Sequence, residues 1–344
     1  MTETTKAAGA VVDPDPPPAP TAGARGRVEV KSLGELAALV VLILVFALLN
    51  PTTFLTLSNT RTVLDQAALP LIIGVGATLV ILTGSIDLSV EGVMGAAGMA
   101  FVLLTANSRD TVDLGLLAIP LAIGVGVLLG LMSGLIHTRL KVPSFIVTLG
   151  VWFVGLGIAT VLFGEDAIPF LPDGGIKTWP TERLLGLPHS FLLAALVVAA
   201  GVVVCRYTRL GRYTYAIGNN EEIAQDNGVP VRRYKLYVFV TAGACSALAG
   251  VLASLQLGAG SATVGIGMLF LTIAAVVIGG TSLGGGRGGI MRTTLGVMLL
   301  TILNNGLILS GVSPNIQSAV SGAVLVAAIV AAAWPHRSRL RIVK

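Results

Sequence analysis

Asp87 and Glu91 are carboxylates four residues apart in largely apolar sequence. On a helix that spacing puts both on one face. An ionised carboxylate near mid-bilayer costs about 2.5–3.5 kcal/mol on insertion scales, so such groups line polar paths, relay ions or hold structure. Two readings stand for Asp87. It lines a path, or it caps free N–H groups at a helix start, which the neighbouring Ser85 and Ser89 favour. Glu91 is open to either. Asn304 and Asn305 form a polar pair in a later apolar segment. Asp87, Ser89, Glu91, Asn304 and Asn305 are therefore the candidate path or structural residues.

Other chemistry finds little support. Gly284, Gly286 and Gly289 spell G-x-G-x-x-G. No strand precedes them and no βαβ unit surrounds them, so the nucleotide-binding reading fails, and no Gly-Lys-Ser/Thr follows. A tight turn between two spans fits better, with a second partner contact as the alternative. His137, His189 and His336 stand apart, without metal-ligand spacing. Cys205 and Cys245 lie at or inside apolar segments and form no disulfide framework. No nucleophile–base pair points to catalysis. Neither cofactor nor metal is implied.

The elements that hold these residues are membrane segments. The chain is 54% hydrophobic and 11% charged, against about 25% charged in soluble domains. About ten apolar segments run over 33–50, 67–83, 86–106, 114–136, 143–163, 189–205, 236–257, 264–280, 290–310 and 315–334. Most reach the ~20 residues that cross a ~30 Å hydrocarbon core. The third and eighth are weaker and are expected to be broken or re-entrant, which requires protein or a water-filled cavity around them. Residues 1–32 form a polar tail whose Asp13–Pro20 stretch (DPDPPPAP) reads as disordered. No secretory signal is expected at its start.

Charge sets the orientation. With the N-terminus inside and ten crossings, 18 of the 22 Lys and Arg fall on cytoplasmic pieces. Arg61, Arg109, Lys177 and Arg183 are left outside, in company with seven acids. This obeys the positive-inside rule. The net charge of +5 thus reads as orientation and not as nucleic-acid binding. The expected fold is an all-α polytopic membrane protein of about ten helices with both termini cytoplasmic. Its membrane domain covers 33–335 and a basic tail covers 336–344.

One segment breaks the apolar pattern. Residues 206–235 read RYTRLGRYTYAIGNNEEIAQDNGVPVRRYK. Asn219 or Asn220 supplies an N-cap, Glu221 and Glu222 suit the first turn, and Gly228 with Pro230 stops the helix. The spacing predicts a two-turn helix over 220–227. So short a helix is marginal alone. It is a solvated loop with one amphipathic turn, or a docking helix for a soluble partner. Arg206, Arg209, Arg212, Arg232, Arg233 and Lys235 flank it and suit anionic headgroups of the bilayer.

This insert resembles the cytoplasmic coupling loop of bacterial ABC-importer permeases of the ribose/xylose/galactose type. The match lies in Gly211-Arg212, Tyr215 to Asn220 (YAIGNN) and Asn227-Gly228-Val229. Thr83 to Val90 (TGSIDLSV), Lys141 to Gly150 (KVPSFIVTLG), Ile273 to Leu283 (IAAVVIGGTSL), and Asn305-Gly306-Leu307 with Gly311-Val312 are similar to further motifs of that family, in order. The resemblance covers about residues 35–335. It implies a permease that holds no ATPase site, forms the path with a second permease copy, and works with a cytoplasmic ABC ATPase and an extracytoplasmic binding protein. It places the ATPase contact at Asn219, Asn220, Glu221, Glu222, Ile223, Ala224, Asp226, Asn227 and Gly228. The outer segment 164–188 is a candidate contact for the binding protein, or simply a long exposed loop.

Two departures from the family stand out. Glu91 occupies a position usually held by Gly, and Met268 to Thr272 lacks the acids often found there. Either the path chemistry differs, or the chain is half of a heterodimer. The stretch at Thr83–Val90 argues for a sugar over an amino acid or nucleoside. An ion-coupled secondary transporter is the alternative of another class, and only Asp87 and Glu91 could serve it. A faint internal echo pairs Val80–Ser85 (VILTGS) with Val277–Ser282 (VIGGTS).

Overall fold

The computed structural model describes residues 26–313 except Asp166, with isolated positions between 316 and 330. Within residues 26–313 eleven α-helices follow one another: α1 (Gly26–Leu49), α2 (Leu57–Leu82), α3 (Val90–Leu104), α4 (Ala118–Leu140), α5 (Ser144–Phe163), α6 (His189–Tyr207), α7 (Arg209–Asn219), α8 (Glu221–Asp226), α9 (Val231–Leu257), α10 (Met268–Ile278) and α11 (Ile290–Leu309). The one sheet among the described residues is a hairpin of β1 (Arg183–Leu184) and β2 (Leu187–Pro188).

Among the described residues six helices, α2, α4, α5, α6, α9 and α11, are long and apolar enough to cross a membrane. α3 has 15 residues and α10 has 11. At about 1.5 Å per residue they rise roughly 22 and 16 Å, short of a ~30 Å core. They are the third and eighth apolar segments, and non-helical backbone precedes each of them. Residues 315–334 lie mostly outside the described positions, as do residues 1–25 and 336–344. α1 starts at Gly26, within the stretch assigned above to the tail.

α2 begins ten residues before the apolar segment at 67 because its first turns have polar partners. Thr56 caps it, its Oγ1 accepting from Asn59 N at 3.2 Å. Arg61 Nε donates to Gly186 O at 2.9 Å, Ser190 donates to Asp65, and Asn305 Nδ2 donates to Asn59 Oδ1 at 3.0 Å. Hydropathy alone does not reveal such a start.

α9 is the axis of the bundle, packed against α2, α3 and α4. Small residues bring the backbones close, as membrane helices require. At the α4–α9 crossing a Cβ on Gly126 or Gly243 would fall on the other's carbonyl oxygen. By contrast, Leu128, Phe153 and Leu196 on α4, α5 and α6 are exposed, as suits lipid contact.

α3 crosses α5 equally closely. A Cβ on Gly92 would fall on Trp152 O, and one on Gly155 would lie 2.5 Å from Gly92 C. Neither neighbour can rotate away, because both are backbone. Gly92→Ala is expected to destabilise the fold by about 1–3 kcal/mol or more, read as earlier thermal unfolding in detergent. Gly124→Ala, with open space around it, should leave the transition in place.

Candidate coupling site

Residues 206–235 fold into two helices before α9, where the capping signals predict one. α7 starts at Thr208, whose Oγ1 accepts from Gly211 N at 3.5 Å. It buries Gly211, Thr214 and Ile217 along one face. α8 starts at Asn220, whose Oδ1 accepts from Ile223 N at 3.0 Å. Its end is a Schellman turn. Gly228 N donates to Gln225 O at 2.9 Å, Val229 N donates to Ala224 O at 3.0 Å, and Gly228 has φ +77°.

Six residues cannot hold a helix alone, and packing supplies the rest. Ala224 is buried with Ile217 and Val231, and Val229 and Tyr234 pack beside them. Lys235 on α9 is only 8% exposed, and its Nζ lies 2.6 Å from Glu221 Oε2. This charge-assisted bond straps α8 to α9. The outward side of α8 presents Glu221, Glu222, Ile223, Gln225 and Asp226, and Asn219, Asn220, Asn227 and Gly228 are exposed beside it. Ile223 is 59% exposed, an apolar side chain among acids.

The insert is joined to the bundle through glycines. At Gly218 a Cβ would fall on Leu82 O and Gly286 N, and Gly286 N itself donates to Leu82 O at 2.9 Å. Gly285, at φ +84°, lies against Gly84 N and Gly218. Tyr215 Oη donates to Gly288 O at 3.0 Å. Burial pushes the Tyr215 phenol above its ordinary value, so it remains a protonated donor. Three segments thus meet backbone to backbone: the end of α2, the end of α7 and the glycine-rich loop after α10. That loop uses its own amides. Ser282 N donates to Arg287 O at 2.9 Å, and Gly289 N donates to Thr281 Oγ1 at 3.2 Å. It is a turn with a partner on the insert.

α2 and α10 end alike at this junction. Gly84 N donates to Ile81 O at 2.9 Å and Ser85 N to Val80 O at 3.3 Å; Gly280 N donates to Val277 O at 2.8 Å and Thr281 N to Val276 O at 3.1 Å. Gly84 and Gly280 have φ +74° and +77°. The echo is therefore structural, but its register pairs Val80 with Val276. The string match was one residue out, because the left-handed glycine fixes the helix end and the side-chain identities do not.

Asp87 is not on a helix with Glu91. It lies in the non-helical stretch before α3, and its Oδ1 accepts from Ser89 N at 2.9 Å and Ser89 Oγ at 2.6 Å. Ser144 and Thr148 of α5 accept from Ile86 N and Leu88 N, each at 2.9 Å. Both lie in the KVPSFIVTLG motif, where neither hydroxyl stands out by type or spacing. Glu91, in the first turn of α3, reaches α10 instead. Its Oε1 accepts from Gly267 N at 3.0 Å and Leu269 N at 3.3 Å. Asn305 ties α11 to Asn59 of α2, and Asn304 is half-buried beside it. Glu35 lies against Gly280, just past the end of α10. Among the described residues no three His, Cys, Asp or Glu side chains group as metal ligands.

The outer segment is folded. Leu171 N donates to Gly258 O at 3.0 Å and Gly260 N to Pro169 O at 2.9 Å, and Lys177 Nζ lies 2.6 Å from Asp173 Oδ1. The Lys177 ammonium holds the fully exposed Asp173 carboxyl below its ordinary value.

A bundle of apolar helices with a capped polar insert packed against the end of α2 and the loop after α10 is a polytopic membrane protein. The chain belongs to the family described as "Branched-chain amino acid transport system / permease component", whose model matches residues 59–329. It is 37% identical over 303 residues to YphD of Escherichia coli K12, named a probable ABC transporter permease, covering 88% of this chain and 89% of the relative. It is 38% identical over 301 residues to the ribose import permease of Bacillus subtilis 168, covering 87% and 92%. It is 30% identical over 296 residues to the D-allose transport system permease of Escherichia coli K12, covering 86% and 90%. Permeases of this kind are transport subunits of the bacterial inner membrane.

Proposed function

We propose that this chain is the permease of an ATP-driven sugar importer and that α8 receives its cytoplasmic ATPase. One observation carries the coupling role. The exposed face of α8 stands on a backbone junction that holds the ends of α2 and the loop after α10. Movement of α8 is thereby transmitted to membrane helices and not absorbed by a loose loop. In this reading both termini are cytoplasmic and the chain crosses ten times. A second copy, or a related permease, completes the path, and a binding protein meets the folded segment 164–188.

The family description names branched-chain amino acids, while close relatives are named for ribose and D-allose. We assign a pentose or hexose, since those relatives match nearly end to end. The ion-coupled alternative loses support, because Asp87 and Glu91 are both engaged with backbone N–H groups. The test is reconstitution with a cognate tandem ATPase and binding protein. ATP-dependent uptake of ribose or allose, and none of leucine, is expected. Uptake by the chain alone under a proton or sodium gradient would refute the assignment.

A further inference from the structure

α10 is a short helix whose start is exposed at Ile266, Gly267 and Phe270. It rises roughly 16 Å from the glycine junction, about half of a ~30 Å core. Its first N–H groups have no acceptor within the helix and need a partner elsewhere. The partner is on another helix, since Glu91 of α3 accepts from Gly267 N and Leu269 N. A carboxylate there also suits the positive end of the helix dipole.

The contacts form a closed ring. From Glu91 the chain runs back through the non-helical stretch 83–89 to Leu82. Leu82 O accepts from Gly286 N, with Gly218 of the insert wedged against both. From Gly286 the chain returns through α10 to Gly267 and Leu269. The ring thus has two non-covalent joints, one under α8 and one at Glu91. Displacing the first must load the second, because the half-helix between them is a rigid rod. Beside the Glu91 joint, Thr263, Ile266, Gly267 and Phe270 are exposed, so the joint borders open space.

We propose that Glu91 is a positioning residue that ties the start of α10 to α3 and so transmits movement of α8 to mid-membrane. This rests on the coupling role assigned to α8 above. The experiment compares Glu91→Gln, Glu91→Asp and Glu91→Ala in the complex with ATPase and binding protein, reading ATP hydrolysed per solute imported. The glutamine amide oxygen can still accept both N–H groups, so E91Q should stay within about twofold of wild type. E91A should raise the ratio at least about tenfold while hydrolysis continues. E91D, one methylene shorter, should lie between them. It supplies the comparison if E91A does not reach the membrane.

Wild-type ratios in E91A or E91D would overturn the proposal. So would E91Q failing like E91A, which would assign the role to charge. If the wild-type complex shows no ATP-dependent uptake, the importer reading itself fails. Amide exchange at Gly267 and Leu269 then decides the tie separately. Faster exchange in E91A than in wild type supports it, and equal exchange refutes it.

Discussion

Gly218→Leu is expected to abolish coupled uptake while the protein still inserts. Gly218 is where the insert touches the bundle, and a Cβ there would fall on Leu82 O and Gly286 N. Both are main-chain atoms, and each is bonded to the other. Neither can give way without opening the junction. Forcing carbon into a filled space costs about 1–3 kcal/mol, equivalent to roughly 5- to 150-fold in an equilibrium. The loss should fall on ATP-driven uptake in proteoliposomes, since the membrane helices keep their own contacts. Gly124→Ala, in open space, should transport as wild type. Uptake in Gly218→Leu equal to that control would remove the junction from the mechanism.

That junction was only half legible in the sequence. Asn220, Gly228 and Pro230 announced α8 because capping chemistry is local, and both its ends lie within a residue of the expected ones. α7 was not announced. Its apolar positions alternate with Arg212, Tyr213 and Tyr215, and its burial depends on the ends of α2 and the loop after α10. Close approach between glycines leaves no side-chain signature, so Gly286 reads as an ordinary turn residue and nothing marks Gly218 as a contact. Glu91 was visible as an oddity, but its partner lies 176 residues away. The i, i+4 rule misled there, because it assumed that a helix already ran through Asp87. The membrane class, by contrast, follows from composition alone, and each apolar segment within residues 33–310 carries a helix.

Ile223→Asp should separate docking from folding. Ile223 is 59% exposed on α8, while the residue that anchors that helix is Ala224, buried with Ile217 and Val231. Changing Ile223 therefore leaves the Asn220 cap, the Glu221–Lys235 pair and the Schellman turn in place. An exposed apolar side chain ringed by acids suits the centre of a docking patch, where water is excluded on binding. Truncating such an anchor typically costs 2 kcal/mol or more, about 30-fold in affinity. A carboxylate adds desolvation to that loss, and it joins Glu221, Glu222 and Asp226 nearby. The expected result is at least ~30-fold weaker ATPase binding to detergent-purified permease, with unchanged thermal unfolding of the permease alone. Unchanged affinity would place the ATPase elsewhere on the 206–235 face. A lowered unfolding temperature would show that Ile223 packs within the fold and is not reserved for a partner.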